Sequence, residues 1–173
     1  LEESADALAG KATRRQVELT LRRNDVERKA LLLLYLPNNT KGNVPCFLGF
    51  NFQGNNTVCF EPEVIASQYS EYPVGNRASR WDVESILEAG YALVTAHYYD
   101  FFPDKEDDDF EGKYSKSIYA LFGKNSSQDF AGDEGRAISA WSWGYSRVLD
   151  YLGREQPQID PDRVAVMGHS RLG

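Results

Sequence analysis

The residue types with a chemistry of their own are concentrated at Gly168-His169-Ser170-Arg171-Leu172-Gly173. They follow the run Arg163 to Gly168, which reads Arg-Val-Ala-Val-Met-Gly and is expected to be a short buried strand. A serine held in a tight turn between a buried strand and the start of a helix is a nucleophile elbow, the arrangement for acyl transfer. Gly168 is needed two residues before the serine because the turn brings backbone against backbone, and Ser170 is expected in a strained conformation that exposes its hydroxyl. The Arg171 N–H, at the start of the next turn, is placed to meet a developing oxyanion. The Arg171 side chain suits an anion as well. The common pattern is G-x-S-x-G; here Leu172 takes the second place after the serine and the glycine comes one residue later.

A second oxyanion donor in such sites comes from the loop after the third strand. In this sequence that loop is Asn51 to Asn55, after the apolar run Val44 to Phe50, so the backbones of Phe52, Gln53 and Gly54 are the candidate donors. The only histidines are His97 and His169. His97 ends an earlier strand and reads as a packed or hydrogen-bonded imidazole, and His169 is expected to point away from the serine.

The elements that must position these groups can be traced along the chain. Val17 to Arg22 alternates as a half-buried strand, Asn24-Asp25 is a turn, and Lys29 to Leu36 completes an antiparallel hairpin. Glu61 to Arg77, with two prolines and no period, reads as an excursion over the surface. Ser79 with Asp82 resembles a capping box opening a short helix, with Trp81, Ile86 and Leu87 on one face and Gly90 as its stop. Tyr91 to His97 is again a strand, so strand, helix and strand imply a parallel crossover. Tyr98 to Phe130 is a long irregular stretch; its acidic cluster Asp104 to Glu111 lacks calcium-loop spacing and reads as a solvated surface insert. From Asp133 to Leu152 the pattern is helical, with Asp133 and Glu134 in the first turn, and Gly144 within it implies a close packing contact. Trp141 and Trp143, two apart, cannot share a helix face: one belongs to the core and the other faces an edge or a loop. The expected fold is a three-layer α/β architecture with a mostly parallel sheet.

Composition narrows the function classes. The chain has 173 residues and a formal charge of −7, which repels nucleic acid and anionic membranes alike. No apolar run is long enough to span a bilayer, and the acidic first residues do not form a signal peptide. Cys46 and Cys59 have no zinc spacing and are expected to be two buried thiols rather than a bridge. Neither a metal nor a cofactor is expected, and no G-x-G-x-x-G follows a strand. Three Asn-x-Ser/Thr matches, at Asn38, Asn55 and Asn125, are assigned no role.

The terminal hexapeptide resembles the G-x-S-R-x-G elbow of glucuronoyl esterases, the fifteenth carbohydrate esterase family of the α/β-hydrolase superfamily, which has the same glycine offset. Phe47 to Thr57 resembles that family's strand-and-loop segment, and Asp133-Glu134-Gly135 with Ala140 to Gly144 its long helix, so the likeness runs from about Val17 onward. The resemblance implies that Ser170 attacks an ester of glucuronic acid and that Arg171 helps hold the oxyanion. It implies a glucuronoxylan partner, a secreted or periplasmic setting, and a triad acid and histidine later in the chain than Ser170. Residues 1–173 are accordingly expected to be the N-terminal part of a catalytic domain truncated after the elbow, whose partner is the remainder of that domain. An acetyl xylan or feruloyl esterase of the same fold, or a non-catalytic carbohydrate-binding relative, are the alternatives.

Overall fold

A computed structural model describes residues 1–104 and 112–173. Six strands, β1 (Glu2–Asp6), β2 (Ala12–Arg23), β3 (Val26–Pro37), β4 (Val44–Asn51), β5 (Ala92–His97) and β6 (Ile159–Met167), form one sheet in the order β1-β2-β3-β5-β4-β6. The hairpin expected around Asn24-Asp25 is present and longer than its alternating core: β2 and β3 pair antiparallel from Ala12↔Pro37 to Arg23↔Val26. β5 and β4 are parallel, as the crossover requires, and so are β4 and β6. The sheet is mixed, because β1, β2, β3 and β5 form antiparallel pairs and only β5, β4 and β6 run parallel.

The continuous apolar run of β3 follows from its place inside the sheet, covered on both faces. Leu32, Leu34 and Leu36 enter the core beneath the long helix Ala137–Glu155, whereas Leu33 and Tyr35 enter a second core with Val58, Val64, Val83 and Leu87 on the other face. At one point neither ladder neighbour suffices. β5 pairs with β3 no further than Ala96↔Leu32, and beyond it the Leu31 N–H donates to Asp100 Oδ2 (3.0 Å) while the Leu31 carbonyl accepts from Asn55 Nδ2 (2.8 Å). Two side chains thus finish the ladder where the strand stops.

Several sequence expectations are corrected. The helix read from Ser79 to Gly90 is broken in two, Ala78–Trp81 and Val83–Glu88, by Asp82 in the left-handed region (φ 42°). No box forms at Ser79; instead Asp82 Oδ1 accepts from Ser85 Oγ (2.9 Å). Gly90 does end the second piece, at φ +84°. The long helix begins at Ala137, so Asp133 and Glu134 precede it, and Glu134 accepts from the Ala131 N–H and from Lys124. Trp141 is buried and donates to the Phe102 carbonyl (3.1 Å), whereas Trp143 packs edge-on against Phe122, at the end of the 3₁₀ helix Ile118–Phe122.

The stretch 61–77 is irregular but not wholly superficial. Glu61 is buried, accepting from Arg14 (2.9 Å), Tyr35 Oη (2.6 Å) and the Leu8 N–H (2.7 Å), and Val64 and Ser67 are buried beside it. In 98–130, Phe101, Phe102, Tyr114 and Tyr119 are core residues. Of the acidic cluster only Asp104 lies within the described residues. Both cysteines are free and buried; burial pushes the Cys59 thiol up to about 11 and Cys46 up to about 12. β6 is largely exposed rather than buried, with Val166 54% accessible, because it ends the strand order and pairs only with β4 among the described residues.

Candidate active site

The turn after β6 has the strain expected of an elbow. Ser170 stands at φ +56°, a conformation L-residues avoid, and is exposed. A Cβ on Gly168 would lie 1.9 Å from the Leu172 carbonyl oxygen, so only glycine fits there. The chain then closes a 3₁₀ turn, Ser170–Leu172, with the Leu172 N–H on the His169 carbonyl (3.2 Å) and the Gly173 N–H on that of Ser170 (3.0 Å). The displaced glycine is part of the same packing: Gly173 lies over the Gly168 backbone, and its added Cβ would meet the Gly168 oxygen at 3.1 Å.

The elbow is aligned with the end of β4 by the long helix. Tyr145 Oη accepts from the Phe50 N–H (2.9 Å) and points to the Met167 carbonyl (3.4 Å), so one phenol touches both strand ends. Its ring stacks on Phe50 (3.9 Å between centroids), and Phe50 stacks in turn on Phe101 (4.6 Å). Gly144 is where Phe101 enters, since a Cβ would stand 2.5 Å from its Cδ1. The predicted close contact at Gly144 is therefore an aromatic ring against the helix backbone.

Beyond β4 the loop is held by buried amides. Asn51 donates to Asn55 Oδ1 (2.8 Å) and Thr95 Oγ1 (2.9 Å), and its Oδ1 accepts the Gly54 N–H (2.7 Å). This corrects one expectation: Gly54, at φ +98°, spends its N–H on Asn51 and has none for a ligand. His97 bonds the Phe52 carbonyl through Nε2 (3.2 Å) and Ser67 Oγ through Nδ1 (3.0 Å). A carbonyl only accepts, so Nε2 carries the proton. The carbonyl and N–H of a trans peptide point opposite ways, so the Gln53 N–H is directed away from buried His97. Ser70 Oγ holds the Gln53 carbonyl on the other side of that residue.

Elbow and loop face the same open cleft of about 1080 Å³, with Phe52, Gln53, Ser170 and Arg171 in its wall. His169 also lines it, edge-on to Phe52 (6.4 Å), rather than turning away. The Arg171 guanidinium sits 5.0 Å over the Phe52 ring, with Nε 2.9 Å from Asp104 Oδ2. The sequence signals missed Asn51, Asp104, Ser67 and Tyr145. Only Asn51, a lone amide at the end of an apolar strand, had a local sign of its role.

A mixed sheet carrying a strained serine after a parallel strand, with a cleft above the strand ends, defines an α/β-hydrolase. The family model described as "Glucuronyl esterase, fungi" matches residues 36–173, and the chain belongs to that family. It is similar to carbohydrate esterase MZ0003 from an unknown prokaryotic organism, with 32% identity over 96% of this chain and 40% of that protein. A 4-O-methyl-glucuronoyl methylesterase of Podospora anserina is 45% identical over 58 residues, 32% of this chain and 11% of that protein. In structure it is similar to a glucuronoyl esterase from Solibacter usitatus, with a TM-score of 0.78, 35% identity and coverage of 99% of this chain and 45% of that one. The chain thus spans less than half the length of these relatives.

Proposed function

We propose that the protein containing this chain is a serine carboxylesterase that cleaves glucuronoyl esters, of the kind linking glucuronoxylan to lignin alcohols. The observation that carries it is Ser170, exposed at φ +56° on the cleft with Arg171 beside it. Ser170 Oγ attacks the ester carbonyl while a histidine from later in the chain takes its proton. Collapse of the tetrahedral intermediate releases the alcohol, which receives that proton, and water then hydrolyses the acyl-serine to the free uronic acid. The Arg171 and Gln53 N–H groups are the proposed oxyanion donors, with the Phe52 N–H as the remaining candidate of the loop; one such donor is typically worth about 2.7 to 4 kcal/mol.

In this reading the triad acid and histidine belong to the rest of the catalytic domain, and the protein works in a secreted or periplasmic setting on plant cell-wall polysaccharide. The family membership and the methylesterase relative support the substrate; among the described residues no helix is long and apolar enough to cross a membrane. The test is turnover of benzyl glucuronate by the full-length protein and by its Ser170→Ala variant, beside acetylated xylan. Hydrolysis of the uronate ester lost in the variant is expected; retained turnover, or preference for the acetyl ester, overturns the reading.

A further inference from the structure

Among the described residues the cleft wall is rich in arginine, although the protein as a whole is acidic. The wall holds Arg77, Arg80 and Arg171 against one carboxylate among the described residues, Asp104, while the whole chain carries −7. Asp104 is committed to Arg171. Arg77 and Arg80 have no carboxylate within ion-pair distance among the described residues, a state they share with Arg23, Arg28, Arg136 and Arg154; what distinguishes them is their place in the cleft wall beside Tyr72 and Trp81. A cleft lined by charges of one sign concentrates ions of the other sign.

Arg80 stands in the short helix Ala78–Trp81 and Arg77 is its N-cap, the Arg80 N–H bonding the Arg77 carbonyl (2.9 Å), and both residues line the cleft. Arg77 lies 5.9 Å over the Tyr72 ring, and Trp81 follows Arg80 in the same wall. Tyr72 is 44% accessible in the cleft wall. The platform is anchored: the Arg77 N–H bonds the Thr57 carbonyl (2.8 Å), the Gly75 N–H bonds that of Asn56 (2.9 Å), and Asn56 Nδ2 bonds that of Tyr72 (2.9 Å). Planar forks beside aromatic faces match a ring that carries a carboxylate, the fork taking the two oxygens and the aromatic face the sugar C–H groups.

The ester being cleaved is neutral at its carboxyl, so a second, free carboxylate must be the ligand here. We infer that Arg77 and Arg80, with Tyr72 and Trp81, form a subsite for a free uronic acid elsewhere on the same polysaccharide. The subsite selects acidic glycans over neutral ones. This rests on the proposed uronate-ester substrate, and its test is a binding measurement that needs no turnover.

Calorimetric titrations on full-length Ser170→Ala protein would use a xylo-oligosaccharide with one free glucuronate and the same oligosaccharide without it. The acidic ligand should bind roughly tenfold tighter, the gain shrinking at high salt. Arg77→Ala/Arg80→Ala should remove that gain and leave neutral binding unchanged, and Arg77→Lys/Arg80→Lys should restore part of it. Equal affinities for the two ligands, equal weakening of both in the double variant, or loss of the gain in Arg171→Ala alone would each overturn the subsite. Failure of the esterase reading would show separately, as an unmutated protein that binds the acidic glycan but turns over no ester.

Discussion

Asp104 holds Arg171 at two points: its carboxylate is 2.9 Å from Nε and its carbonyl oxygen 3.3 Å from Nη2. With Phe52 beneath the guanidinium, the arginine next to the proposed nucleophile is fixed in orientation, and its remaining N–H groups have no partner among the described residues. Asp104→Ala should therefore lower kcat by roughly threefold to tenfold with little change in KM, and Asp104→Asn, which keeps an acceptor, should lower it less. The decisive measurement is the double variant: in an Arg171→Ala background, Asp104→Ala should have no further effect on kcat.

The strain at Ser170 is separable from its hydroxyl. Ser170→Ala and Ser170→Gly both lose the nucleophile, but only glycine accepts φ +56° without steric conflict. The glycine variant should be the more stable by roughly 1 kcal/mol in urea melts. Equal stability of the two would mean that the elbow relaxes in solution.

Gly144→Ala sets two effects against each other. Helix propensity favours alanine by about 1 kcal/mol, but its methyl would stand 2.5 Å from a buried aromatic carbon of Phe101. Overpacking of this kind typically costs about 1 to 3 kcal/mol, so the variant should melt earlier, and kcat should fall with it because Phe101 supports Phe50 and the end of β4.

Burial pushes the Asp100 carboxyl up to about 7, with the Leu31 N–H pulling the other way. A raised carboxyl disfavours the folded state once the unfolded chain ionises. The protein should lose stability as pH rises from about 4 to about 7 and level off above that. Asp100→Asn should flatten this dependence, being more stable than the parent at pH 8 and converging with it near pH 4. Denaturant midpoints at the two pH values measure it.

The parts legible in the sequence are those whose signals are local. The alternation of Val17 to Arg22, the strand-serine-glycine succession at 168–173 and the lone Gly144 each carry their meaning within a few residues. What escaped depends on distant partners. Glu61 looks like a surface acid until Arg14, 47 residues away, is folded against it. Asp82 breaks its helix through a positive φ that asparagine or glycine would have announced and aspartate did not. Gly54 reads as a candidate donor in the sequence because the bond that takes its N–H, to Asn51 three residues back, is invisible without the turn.

The phenol of Tyr145, reaching both Phe50 and Met167, ties the spacing between the ends of β4 and β6 to a helix and not to the loops that follow those strands. In the proposed esterase, side chains of the cleft-lining loops, such as Gln53 and Tyr72, could then be exchanged to alter which glycan is admitted without moving the two strand ends apart.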